Sequence, residues 1–301
     1  MKEILILVTK TGKKKQTLVD YLNKDLAGKA KVTLGKLTDL VFEVEGKKIK
    51  VRLNDKNITD FSLVYFRRLG SDFLPHARTL AFCLDHLKID YLDSYFGKTS
   101  LAGNKLTALI RLSLAGLPVM PSFFCWRDKV KGNINYLESK YGYPLVAKEL
   151  LLQQGKGIFL IKKRKDFDFL KKTKLEDQFF FQKFYPNEEE YRLLVLGDKV
   201  AVYERKIRTD PHEFRGNVAL GAKEEFLEVN QAPKEMKTMA VKAAQILGLE
   251  VAGIDIFIAS QTGKQWLLEV NRGPGFTYDL EVSSELPELA SFFAQKLGIK
   301  K

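Results

Sequence analysis

Two apolar segments near the C-terminus each carry polar groups where a buried strand would carry aliphatic ones: Val251-Ala252-Gly253-Ile254-Asp255-Ile256-Phe257 and Leu267-Leu268-Glu269-Val270-Asn271-Arg272-Gly273-Pro274-Gly275. A buried carboxylate is costly unless it is paired, hydrogen-bonded or bound to a cation, so these strands must bring partners to their acids. Side chains alternate along a strand, which puts Glu269 and Asn271 on one face. If Asp255 on the neighbouring strand meets that face, three oxygen-bearing side chains converge. Such a set suits Mg2+ shared with substrate phosphates. It equally suits an ion-paired sheet interior, with Arg272 as counter-charge.

The rest of the chain narrows the choice mostly by exclusion. With 301 residues, 45% of them apolar, it has material for two or so domains with real cores. The longest charge-free stretch, Leu112 to Trp126, is fifteen residues long and broken by Pro118 and Pro121, too short to span a bilayer. The opening Ile4 to Val8 lacks a following small-residue cleavage site, so it predicts a first strand rather than a signal peptide, with the mature protein beginning near Met1. Cys83 and Cys125 are too few for a disulfide framework, which predicts a reducing, cytoplasmic setting. His76, His86 and His212 lack metal-type spacing, so a metal here should be oxygen-ligated. Neither G-x-x-x-x-G-K-[ST] nor a strand-leading G-x-G-x-x-G occurs, which removes the P-loop and Rossmann readings.

The formal charge of +13 is unevenly spread. Residues 1–100 carry 19 basic and 12 acidic groups, residues 101–200 carry 18 and 11, and residues 201–301 carry 13 and 14. The positive field therefore belongs to the first two thirds, open to a nucleotide, an acidic substrate or nucleic acid. The runs Lys13–Lys15 and Lys162–Lys165 read as solvated surface.

Periodicity predicts strands at Ile4–Val8 and Ser62–Phe66, a helix over Gln16–Leu26 and a hairpin of Val41–Glu45 with Ile49–Leu53: an α/β domain over residues 1–100. A helix through Leu114 closes at Gly116-Leu117-Pro118, and residues 101–301 read as a second region, divided into 118–185 and 186–301. In it, strands are expected at Ser122–Trp126, Leu145–Lys148, Ile158–Ile161 and Phe179–Phe184, with helical patterns at Lys129–Lys140 and Phe167–Leu170. Leu193–Leu196 and Val200–Tyr203 should form a hairpin over Gly197-Asp198-Lys199. Arg208–Ala222 reads as a long loop, and helices are expected over Pro233–Leu247 and Leu286–Leu297.

Four further pieces bear on chemistry. Lys148 ends an apolar strand before Gln153-Gln154-Gly155-Lys156-Gly157, where an ammonium and exposed backbone N–H groups suit phosphate oxygens; a surface hairpin would look the same. Phe179-Phe180-Phe181-Gln182-Lys183-Phe184 runs into Asn187-Glu188-Glu189-Glu190, an apolar slot followed by carboxylates, or simply a core strand. Arg205 and Arg215 supply guanidinium groups suited to carboxylate or phosphate. Tyr65-Phe66-Arg67-Arg68-Leu69-Gly70 is the distinctive feature of residues 1–100, its arginines either strand-end charges or groups that reach an acceptor.

In this order, from about Asn104 to Gly275, the pieces resemble the ATP-grasp superfamily, most closely its RimK-like ribosomal-protein glutamate ligase branch. The resemblance implies an α/β (α+β) fold in which two α+β subdomains clasp ATP behind an N-terminal pre-ATP-grasp domain. It places Lys105 and Lys148 on the phosphates, Gln182, Lys183 and Phe184 along adenine and Glu190 on the ribose. Arg215, Gly216 and Asn217 match its phosphate-reaching R-S-N stretch, while Asp255, Glu269 and Asn271 match the ligands of Mg2+, or of Mn2+ in its place. Arg205 corresponds to a basic position on the acceptor side. Leu152-Gln153 stand where the family has Gly-Ser, Lys183 replaces a hinge Glu, and Ala222 replaces the second Gly of a pair. The implied activity joins a carboxylate acceptor, an acidic amino acid or peptide, to an amine donor such as an amino acid through an acyl phosphate. An ATP-grasp kinase is the second enzyme reading. A nucleic-acid-binding protein, without recognised signatures, is disfavoured.

Overall fold

The structure, a computed structural model, describes residues 1–45, 48–98, 104–150, 157–174, 176–187, 189–210, 213–214 and 221–299. The first stretch runs β1 (Lys2–Val8), α1 (Lys13–Asp25), β2 (Ala30–Lys36), β3 (Leu40–Glu45), β4 (Lys48–Leu53), β5 (Lys56–Asn57), β6 (Leu63–Phe66), α2 (Leu74–Leu87) and β7 (Asp90–Leu92). β1 is continuously apolar from Ile4 to Val8 because both its faces are covered there, as parallel strands require. It sits inside a parallel sheet of order β2-β1-β6-β7, while β3, β4 and β5 form the expected hairpin with one added strand. Ile4 and Ile6 pack on Leu18 and Leu22 of α1; Leu5 and Leu7 join Ala77, Leu80 and Leu84 of α2.

The middle stretch runs α3 (Lys105–Leu114), β8 (Ser122–Phe124), α4 (Arg127–Tyr141), β9 (Leu145–Glu149), β10 (Ile158–Ile161) and β11 (Phe179–Lys183). Asn104 caps α3, its side chain accepting the backbone N–H groups of Leu106 and Thr107 at 3.0 and 3.2 Å. The sheet order β10-β9-β11-β8 buries Phe179 and Phe181 against Val130, Ile134 and Leu137 of α4 in a core of its own. Phe167–Leu170 lies in a 3-10 helix, Arg164–Lys172, rather than an α-helix.

The last stretch runs β12 (Glu189–Leu196), β13 (Lys199–Ile207), β14 (Lys223–Leu227), α5 (Lys234–Leu247), β15 (Val251–Ile258), β16 (Gln265–Arg272) and α6 (Glu285–Lys296). The β12–β13 hairpin is longer than its apolar cores suggest, because Lys199 pairs with Leu196 and leaves only Gly197-Asp198 as the connection. β14 falls inside the stretch that followed the expected loop and forms the edge of a sheet ordered β14-β13-β12-β15-β16. One face of that sheet buries Leu193, Val195, Ile254 and Ile256 with α5; the other buries Leu194, Leu196 and Val251 with α6. Residues of β1, β6 and α2 belong to these same two clusters, so the N-terminal sheet and the five-stranded sheet share their cores.

Asp93 helps to lash them together. Its Oδ1 accepts the backbone N–H groups of Glu250 and Val251 at 2.9 and 2.8 Å, while Glu250 accepts that of Ser94 at 2.7 Å. Burial first, then the Glu250 charge, pushes the Asp93 carboxyl up to about 8 against these hydrogen bonds and Arg272. A carboxyl raised in the folded state favours folding fully below its unfolded value, and that contribution is lost as pH climbs from about 4 to about 8. Asp93→Asn should therefore remove a downward slope of at most ~1.4 kcal/mol per pH unit. Urea midpoints of both proteins at pH 5, 6.5 and 8 check this: the variant should gain on wild type as pH rises, and parallel curves would contradict it.

Candidate active site

The register of β15 on its neighbours assembles the site. Asp255 lies opposite Glu269 on one side and opposite Arg192 on the other, and Gly253 opposite Asn271. Asp255, Glu269 and Asn271 thus come to one face, as alternation predicts. The Asn271 Nδ2 donates to Asp255 Oδ2 at 2.7 Å. Arg192 holds the same carboxylate with two parallel bonds, Nε to Oδ1 at 2.8 Å and Nη2 to Oδ2 at 2.9 Å, and the Lys206 ammonium adds a third at 3.1 Å. At Gly253 a Cβ would stand 3.0 Å from Pro274 Cβ and at an ordinary contact distance, 3.6 Å, from Arg192 Nε, so the close neighbour there is the proline.

Burial alone would raise Asp255, but the charges and hydrogen bonds of Arg192 and Lys206 outweigh it and hold the carboxyl down to about 2. Burial lowers Arg192, yet the Asp255 charge and hydrogen bonds leave it raised. Glu204, one face-step from Lys206, is buried and pushed up to about 8 by burial against the Lys206 and Arg192 charges. Lys206 lies 4.0 Å from Glu204 and 3.1 Å from Asp255, so its hydrogen bond goes to Asp255. Glu269 is more open, its side chain 41% exposed, with the Lys105 ammonium 3.9 Å away.

The lysines come from the middle stretch. Lys105, in the first turn of α3, donates to the Glu149 carbonyl at 3.3 Å. Lys148, in β9, lies below its ordinary value through burial first, with Lys105 adding to the effect; Glu269, Glu190 and Asp255 pull it the other way. Two ammonium groups of one sheet's surroundings thus face the carboxylates of another, which is the polarity a phosphate chain with a dication would bridge.

Along β11, Gln182 Nε2 donates to Ser122 Oγ at 2.8 Å while its Oε1 is buried without a hydrogen bond. The backbone N–H groups of Lys183 and Phe184 go to the carbonyls of Pro121 and Pro144 at 3.4 and 3.1 Å. An adenine edge would therefore have to use other donors of this segment. Beside it, Met120, Phe257, Ala259 and Trp266 form an apolar cluster with Tyr185 and Leu268, and Tyr185 stacks on Trp266 at 5.3 Å. Glu190 shares the face of Arg192, two residues along β12.

Arg205 is not brought to this group. It is one residue from Lys206 and so points to the opposite face of β13, where it pairs with Glu225 at 2.6 Å and Glu189 at 3.1 Å beside the stacked Tyr191 and Tyr203. Arg272 does not serve as Asp255's counter-charge either; its guanidinium lies over Tyr95 and Phe96 at 4.8 and 5.1 Å. The counter-charges are Arg192 and Lys206, which sequence reasoning missed because their role depends on the pairing of β12, β13 and β15. Arg215, Gly216 and Asn217 lie outside the described residues.

The chain is similar to a probable alpha-L-glutamate ligase of Cellvibrio japonicus, 33% identical over 176 residues, which are 57% of this chain and 56% of that protein. It spans about half the length of the first curated relatives it matches. In fold it is similar to ATP-grasp ligase PsnB complexed with minimal precursor, with TM-score 0.70 and 18% identity over 98% of this chain and 100% of the other. D-alanyl-alanine synthetase A from Vibrio cholerae superposes with TM-score 0.66 at 13% identity over 99% and 97%. The fold is thus shared with both of these solved structures. A family model described as the RimK-like ATP-grasp domain matches residues 102–285, well over half of the sequence, and the chain belongs to that family.

Proposed function

We propose that the protein is an ATP-dependent ligase that joins a carboxylate to an amine, acting on an amino acid or a peptide. The observation that carries this is the facing of Lys105 and Lys148 against Asp255, Glu269 and Asn271, with Asp255 held ionised. Two carboxylates and a carboxamide on one face are hard oxygen donors that fit Mg2+, and Mn2+ by the same preference. Bound there with the nucleotide, the dication would supply charge neutralisation at the phosphates. Lys148 and Lys105 would hold the phosphate chain in place. Gln182, Lys183 and Phe184 with the apolar cluster around Trp266 would seat the base, and Glu190 the ribose. Arg215, Gly216 and Asn217 retain their proposed contact with the transferring phosphoryl group. Arg205 is assigned a bracing role between β12 and β14.

In the proposed reaction, a carboxylate oxygen attacks the γ-phosphorus and the bond to the β–γ bridging oxygen breaks, releasing ADP from an acyl phosphate. The amine then attacks the acyl carbon, phosphate leaves with its oxygen, and the nitrogen gives up a proton. We further propose a division at residue 100 with subdomains 118–185 and 186–301. A cytoplasmic setting is supported by two free thiols, Cys83 and Cys125; among the described residues no helix is long and apolar enough to cross a membrane. ADP release from Mg-ATP should require a carboxylate and an amine together and yield an amide. Release with the carboxylate alone, accompanied by a stable phosphorylated product, would favour a kinase instead.

A further inference from the structure

The C-terminal ends of β1 and β6 form the point where the N-terminal parallel sheet changes direction, since β1 leads to β2 on one flank and β6 lies on the other. Crevices for ligands in open parallel sheets form at such points. Here the side chains gathered at that point are cationic. The Arg67 N–H continues the ladder to Leu7 at 2.8 Å, and the Arg67 side chain is buried beneath Phe276, 4.1 Å from the ring centre, with its Nε unpartnered. Its Nη groups reach the Tyr65 hydroxyl and the Pro274 carbonyl, each at 3.3 Å. Arg68, exposed and left-handed at φ 51°, presses its backbone on Gly273, where a Cβ would stand 2.9 Å from Arg68 N. Gly273, itself at φ 65°, is two residues past Asn271, so this crevice adjoins the candidate active site.

From the β1 side comes Lys15, in the first turn of α1, a helix with no acidic residue in that turn and no side-chain cap. Lys15 donates to the Lys10 carbonyl. Among the described residues no carboxylate forms an ion pair with Lys15, Arg67 or Arg68. Partial desolvation, then the Arg68 and Arg67 charges, lowers Lys15 from its ordinary value; partial desolvation, then the Arg67 charge, lowers Arg68, and Arg192 contributes to the latter.

We infer that Lys15 and Arg68, with Arg67 behind them, bind a carboxylate that does not react, carried by one of the two substrates. The inference rests on the ligase reading and names the charge its substrate must carry. Three cations without a carboxylate partner, the N-terminus of α1 and the closeness of the 273–276 loop suit an anion.

The test is calorimetric, on the full chain, with and without Mg-ADP. Glutarate against its monoamide glutaramate forms the acceptor arm, since both keep one reactive carboxylate; L-glutamate against L-glutamine forms the donor arm. Wild type should bind the more anionic member at least ten-fold tighter in one arm, and that arm identifies the substrate that carries the charge. Lys15→Gln and Arg68→Gln should each cut the preference below three-fold, and Arg68→Lys should keep most of it. The inference is overturned by no preference in either arm, or by a preference that both charge-removing variants leave intact. Mg-ADP binding is read separately in the same samples, so its loss would count against the nucleotide reading alone.

Discussion

Arg192→Ala is expected to cost about 3–5 kcal/mol of stability, because it leaves Asp255, with only 9% of its side chain exposed, short of its main counter-charge. Lys206 and the neutral Asn271 amide remain within hydrogen-bond reach, and Lys206 offers a point charge where Arg192 offers a fork matched to both oxygens. ATP turnover should fall with it, since the carboxylate is no longer held in one orientation. Urea unfolding and ADP release on the same preparation check both effects, with Arg192→Lys intermediate. A loss below ~1 kcal/mol would mean that the pair is solvated and contributes as little as an ordinary surface ion pair.

The second large effect separates chemistry from folding. Glu269→Gln combined with Asn271→Ala should lower Mg-ATP turnover by about 10^3-fold or more, because catalysis of phosphoryl transfer is mostly electrostatic positioning. Stability should hardly move: Glu269 is 41% exposed in its side chain, and losing the Asn271 hydrogen bond to Asp255 costs about 1 kcal/mol. Turnover that persists undiminished at saturating ATP would remove these residues from the site.

Some of this was legible in the sequence and some was not, for reasons particular residues make plain. Asp255, Glu269 and Asn271 stand out because they interrupt apolar strands, and a period of two is enough to put the last two on one face. Arg192 and Lys206 do not, because their role depends on the pairing of β12, β13 and β15, which joins residues 63 and 49 positions apart. Arg205 shows the cost of reading charge without alternation: one residue away from Lys206, it serves the other face of the sheet. The N-terminal α/β architecture was clear from β1, α1 and the β3–β4 hairpin. β14 was not, since an edge strand reading Lys-Glu-Glu-Phe-Leu carries the charges that protect an edge and hide its periodicity. The basic crevice was half visible as Arg67-Arg68, but joining it to Lys15 needed the parallel pairing of β1 with β6.

Transfer of the γ-phosphoryl group to a carboxylate that then becomes an amide can be followed by oxygen tracing. A carboxylate substrate labelled with 18O is incubated with Mg-ATP, the amine and the protein, and the inorganic phosphate is analysed by mass spectrometry. The account predicts one 18O atom in each phosphate released, in step with ADP and amide, because the phosphate departs with the attacking carboxylate oxygen. Phosphate free of label, or ADP formed with a stable phosphorylated product and no amide, would contradict it.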